Sequence, residues 1–270
     1  MKFDMSAAWR DAMAMVSANR EVLLIISGIF FFLPSAVLGF AIGDVQEAML
    51  SDPENAQNVM LSVYSSWSWL IAIVAIVTAV GYLALLALLR DHRRPTVGEA
   101  IKTGLIGLLP AIGTYLLLTV GLGLIFAVII GIAAAIGSSA LGVILVLIAV
   151  ILTIYVMVKI SLAGPVIAID KVYNPFKVLI NSWRLTKGNS IRLFLFYLLL
   201  FIAYIVIALV VSAVIGLLAV VAGSSIGLAL NAIVSALISA VVTVIFVAVL
   251  AAVHRQLSGP SAAAVSETFE

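Results

Sequence analysis

The sequence predicts an all-α integral membrane protein with six transmembrane helices in three hairpins, each hairpin preceded by a cytosolic amphipathic helix. Composition, the length of the apolar runs and the sidedness of the cations predict it. The chain is 65% hydrophobic and only 10% charged, with a mean hydropathy of +1.32; a soluble domain carries roughly a quarter charged residues. All fourteen Lys and Arg fall in short stretches at alternate ends of the apolar runs. Cationic loops stay cytoplasmic during insertion, so this pattern orients the chain with both termini inside.

Crossings are expected near 21–43, 66–89, 105–131, 140–163, 193–222 and 227–253. Each satisfies the ~20 apolar residues that a ~30 Å hydrocarbon core demands. The first is too long for a signal-peptide core and lacks a small-x-small cleavage site, so it reads as a mature helix. Pro34 should kink it, because proline removes a backbone hydrogen bond and crowds the preceding turn. The outer turn 44–65 holds Asp44, Glu47, Asp52 and Glu54 and leads into Tyr64, Trp67 and Trp69, which suit an outer interface. The turns 132–139 and 223–226 are short runs of small residues. The fifth crossing is long enough to require tilt or extension beyond the lipid.

Three inner segments share one apolar spacing. Residues 6–20 align Trp9, Ala12, Met13 and Val16; residues 96–109 align Val97, Ala100, Ile101, Leu105 and Leu108; residues 174–187 align Phe176, Leu179, Ile180 and Trp183 opposite Lys177, Asn181 and Arg184. Such offsets describe amphipathic helices. Thr96 with Glu99 forms a capping box, and Asn174–Pro175 supplies an N-cap and a first-turn proline. The chain therefore reads as a single membrane domain, 1–256, with repeats at 6–89, 96–163 and 174–253 and a disordered cytosolic tail at 257–270. Loops lying on lipid acquire the same pattern without true repetition.

The segment Ser182-Trp183-Arg184-Leu185-Thr186-Lys187-Gly188-Asn189, entering an aromatic-rich crossing, resembles the membrane domain of bacterial glycerophosphodiester phosphodiesterases and the related YciC-like inner-membrane proteins. The match covers about residues 174–205. It implies a multi-pass protein of the bacterial inner (cytoplasmic) membrane. The catalytic phosphodiesterase domain is missing, so that activity does not transfer.

Chemistry is sparse. Apart from Glu21 at the very start of the first, the crossings hold one Lys, Arg, His or carboxylate, Lys159, and it lies near an inner end where its stem reaches headgroups. His92 and His254 stand outside any metal-ligand spacing, and the chain has no cysteine. No nucleophile elbow or phosphate loop is present. The outer acids lack the glycine-assisted turn of a calcium loop. No catalytic residue, metal site or cofactor is therefore expected, and the divided cations argue against nucleic acid.

Two features remain. In the sixth crossing Gly227, Asn231, Ser235, Ser239 and Thr243 recur every four residues, flanked by Ala232, Ala236 and Ala240, as a helix-packing face. In the last inner loop Lys171, Lys177, Arg184, Lys187 and Arg192 accompany Trp183 as a surface for anionic headgroups or a membrane or cytosolic protein partner. The expected function is a non-catalytic membrane protein working through that basic loop. The alternative is a transporter or channel for a small, lipid-like or apolar solute, with Thr78, Tyr82, Thr114, Tyr115 and Thr119 facing the polar stripe of the sixth crossing.

Overall fold

The computed structural model describes residues 2–43, 45, 49, 52–89, 96–136 and 138–259. Asp44, Glu47, His92, three arginines (Arg90, Arg93 and Arg94) and the tail beyond 259 lie outside the described residues. Every regular element among the described residues is helical: α1 (Met5–Ala18), α2 (Arg20–Ala41), α3 (Ala56–Leu88), α4 (Val97–Ile136), α5 (Ser139–Ile160), α6 (Ala163–Ala168), α7 (Pro175–Leu185), α8 (Ser190–Ala222) and α9 (Ser224–Ser258). Six of the described helical segments are long and apolar enough to cross a membrane: α2, α3, α4, α5 with α6, α8 and α9.

The kink in α2 takes a definite form. Pro34 cannot donate to the preceding turn, and the helix widens into a π segment over Gly28–Phe32, closed by the Leu33 amide on the Gly28 carbonyl. Gly81 of α3 accommodates the bulge: a Cβ there would strike Phe30.

Several boundaries differ from the sequence reading. Helix α3 begins at Ala56 rather than near 66, so half of the expected outer turn is helical. The expected inner helix 96–109 is not a separate element. It forms the first part of α4, which runs for 40 residues, or ~60 Å at 1.5 Å per residue. The Thr96–Glu99 capping box does start it, with Glu99 Oε2 accepting the Thr96 amide at 3.0 Å and Thr96 Oγ1 accepting the Glu99 amide at 3.3 Å. Its buried row is Ala100, Gly104, Gly107, Ala111, Thr114 and Leu118, while Leu105 points outward. The fourth crossing breaks at Ser161–Leu162, because Pro165 offers no amide to continue α5, and resumes as α6. Helix α9 continues past the expected domain end to Ser258.

Packing concentrates where the cation-bearing ends meet. Leu83–Leu86 and Leu88 of α3 with Leu89 just beyond it, the buried α6, Val178 of α7, Leu193 and Phe196 of α8 and Val247–Val253 of α9 form one core with Ala8 and Ala12 of α1. The far halves of α4, α5 and α8 instead expose apolar faces such as Leu124, Ile151 and Leu217. The division has a physical reason. Lipid tails are as apolar as leucine and supply no hydrophobic drive between helices, whereas ends bathed in water must build a core.

Candidate functional site

Helix α7 is anchored on one side and bare on the other. Asn174 Oδ1 caps it by accepting the Lys177 amide at 3.2 Å. Pro175 sits against Gly113, where a Cβ would come within 3.0 Å of its ring. Val178, Ser182 and Thr186 are fully buried. Ser182 Oγ donates to the Lys159 carbonyl at 2.8 Å, and Thr186 Oγ1 reaches the same oxygen at 3.3 Å. That carbonyl lies at the end of α5, where helical partners run out, so the two hydroxyls satisfy an otherwise orphaned acceptor.

The opposite side of α7 exposes Phe176, Ile180 and Trp183 along one stripe, with Lys177, Arg184 and Lys187 beside them. The apolar stripe therefore faces away from the protein core. Lys171 is exposed too, and it adopts a left-handed backbone (φ 56°). Arg192 differs from the others: its Nη1 donates to the Phe3 carbonyl at 3.4 Å. Asn189, which follows Gly188 (φ +82°), accepts the Phe3 amide at 2.9 Å. The Ser182–Asn189 segment is thus a joint. Its polar residues fix α7 to α5 and hold the Phe3–Asp4 segment, and Gln256 of α9 closes the same clasp on Asp4 at 3.0 and 3.3 Å.

Lys159 does not extend freely from its helix. It is 3% exposed, with Nζ lying 5.5 Å from the Tyr155 ring centroid and 5.4 Å from that of Trp183. The two rings meet edge to face at 5.8 Å.

The chain also brings together groups that are remote in sequence. His254, buried at the end of α9, places Nε2 3.0 Å from Asp170 Oδ2. Arg255 pairs with Asp11 of α1 at 2.7 Å. No third metal-ligating side chain joins His254 and Asp170 among the described residues. Of the outer acids within the described residues, Asp52 turns the chain by accepting the Asn55 amide at 3.3 Å.

The packing face of the sixth crossing lies beside the one expected. Ala232, Ala236, Ala240 and Val244 form the buried row, and Gly39 of α2 approaches Ala232. Ser235 and Ser239 face outward; Asn231 and Thr243 are half-buried. Ser235 Oγ bonds Asn231 Oδ1 at 3.3 Å, and Thr243 Oγ1 donates to the Ser239 carbonyl at 2.7 Å. A hydroxyl bonded to its own helix can face lipid at little cost. Gly227 does pack closely, against Ala219 of α8.

Of the residues matched to that polar stripe, Tyr82, Tyr115 and Thr119 line a cavity of about 340 Å³ with Ala111, Gly164 and Ile167. Thr78 and Thr114 bond to carbonyls of their own helices at 2.7 and 2.8 Å instead.

An all-helical chain with six segments fit to cross a membrane, packed chiefly at one basic end, defines a polytopic membrane protein. It belongs to the DUF7847 family, a domain of unknown function whose model matches residues 5–257. No curated protein and no solved structure matches the chain.

Proposed function

We propose that the chain is a non-catalytic protein of a cytoplasmic membrane whose basic inner face, centred on α7, engages anionic lipid headgroups. One observation carries this reading: α7 is fixed through Val178, Ser182 and Thr186 and presents Phe176, Ile180 and Trp183 outward beside Lys177, Arg184 and Lys187. An apolar stripe turned away from the core, flanked by cations and aromatics, suits the boundary between headgroups and acyl chains. Each cation adds on the order of 1 kcal/mol near an anionic leaflet. The resemblance of Ser182–Asn189 to the glycerophosphodiesterase membrane domain supports, on this proposal, a bacterial inner-membrane setting with both termini cytoplasmic.

The test is to replace Lys177, Arg184 and Lys187 together with glutamine and measure anionic lipid retained on purification. Retention should fall, and its salt dependence should weaken, because exposed charges are screened within ~8 Å at physiological ionic strength. Retention equal to the parent's at every salt concentration would reduce the loop to a topological anchor. Orientation is checked separately. The chain lacks cysteine, so single cysteines at positions 55 and 265 should be labelled from opposite sides.

A second reading, transport of a small lipid-like solute, draws on the cavity between α3, α4 and α6 lined by Tyr82, Tyr115 and Thr119. Filling it with Leu116→Trp should then slow solute passage into proteoliposomes. Unchanged passage removes the reading.

A further inference from the structure

We infer that Lys159 and Lys187, at the corner where α5 meets α7, form a discrete site for the phosphate of one anionic phospholipid, whose acyl chains lie along Tyr155 and Ile151. The inference deepens the reading above, since it assigns a specific site within the same basic face, and it rests on that reading.

The first ground is the state of the Lys159 ammonium. It is covered by two aromatic rings, yet no hydrogen bond or ion pair to it exists among the described residues. Ring faces attract a cation but accept none of its protons in strong hydrogen bonds. Its Nζ is not sealed off, since no buried side-chain nitrogen among the described residues lacks a partner, and a half-covered ammonium there still wants acceptors and a counter-charge from outside the protein. The second ground is its neighbour: Lys187 directly follows Thr186, whose Oγ1 lies 3.3 Å from the Lys159 carbonyl, so both lysines rise from one corner. Neither lysine is in an ion pair among the described residues. Such a pair lacks one anion, and a phosphodiester offers oxygens to both lysines.

The third ground is access. Trp183 and Tyr155 are 40% and 44% exposed, so the site opens sideways toward lipid rather than into the core. From Lys159 an apolar track runs along α5 through Tyr155 (44% exposed), Ile151 (67%) and Ile148 (52%). A phosphate at the lysines therefore has a surface for attached chains, which free phosphate does not need. Among the described residues no carboxylate pairs with either lysine, so a headgroup ammonium finds no partner there, which favours phosphatidylglycerol-like over zwitterionic lipid.

The experiment uses the full chain purified in detergent with phosphatidylglycerol added, washed with salt raised to about 1 M, where the screening length falls to ~3 Å. Phosphatidylglycerol retained per chain is then counted by mass spectrometry. The parent should keep a salt-resistant lipid, because a covered cation is screened less than an exposed one. Lys159→Gln should reduce that fraction about fivefold, and Lys159→Arg should preserve it, since guanidinium also stacks on aromatic faces. Lys177→Gln with Arg184→Gln should remove only the salt-sensitive lipid. If Lys159→Gln and Lys187→Gln both match the parent at high salt while the Lys177/Arg184 variant loses lipid, the site is wrong and the surface reading stands. If none of the variants loses lipid, both are wrong. If Lys159→Gln does not purify as a single species, the exposed Lys187→Gln reads the same site: a loss of about fivefold supports it and no change overturns it. Complete displacement of the lipid by millimolar inorganic phosphate would also overturn it, because the acyl track would then contribute nothing.

Discussion

Asn189 holds Phe3 although the two stand 186 positions apart: its Oδ1 accepts the Phe3 amide at 2.9 Å, and the Phe3 ring lies 5.6 Å from that of Phe196 in the second turn of α8. The segment entering the bundle is thereby tied to the start of α8, while Gln256 and Arg255 tie Asp4 and Asp11 to α9. The basic face is consequently a joined surface rather than a set of separate loops.

Asn189→Ala should release that clasp. Leaving a buried amide without its acceptor costs about 1–3 kcal/mol. Hydrogen exchange at Phe3 and Asp4 should accelerate while the far ends of α4 and α5 keep their protection. Unchanged exchange at Phe3 would show that the bond contributes nothing in solution.

Ser182 and Thr186 share one acceptor, so their removal should not be additive. Ser182→Ala alone should be mild because Thr186 Oγ1 still reaches the Lys159 carbonyl. The Ser182→Ala/Thr186→Val pair should cost about 1–3 kcal/mol in detergent melting. Additive losses would mean that the hydroxyls act independently.

The seam of α4 makes a sharp contrast between two glycines. A Cβ at Gly104 would meet the Val80 carbonyl, whereas Gly121 has open space around it. Gly104→Ala should destabilise by about 1–3 kcal/mol. Gly121→Ala should leave the melting temperature equal or higher, because alanine is the better helix former by about 1 kcal/mol. Equal behaviour of the two variants would place the seam elsewhere.

In α9 the two flanking rows should respond oppositely to bulk. Ala236→Leu forces the backbones apart and should lower stability by about 1–3 kcal/mol. Ser235→Leu, on the exposed face, should be tolerated within about 0.5 kcal/mol. A severe Ser235→Leu phenotype would reveal a neighbour on that face.

Part of this architecture was legible in the chain because its causes are local. Run length and the placement of Lys and Arg mark the six apolar segments, and Asn174 and the Thr96–Glu99 pair cap the helices they begin. The break at Pro165 and the seven-residue spacing of Ala100, Gly107 and Thr114 were present as signals too, but neither stands out in a sequence apolar on every side.

The packing choices came only with the tertiary structure. A helix that is hydrophobic all round has no amphipathic stripe to identify its buried face, and lipid rewards neither face over the other. Shape complementarity between particular partners decides instead. Gly39 selects Ala232 and its row over the adjacent serines, and Val80 selects Gly104. The same holds for the basic face: the sequence supplies its lysines and tryptophan, but only folding places the Lys159 ammonium between Tyr155 and Trp183 and turns the Ser182 and Thr186 hydroxyls onto one carbonyl, that of Lys159, near the end of α5.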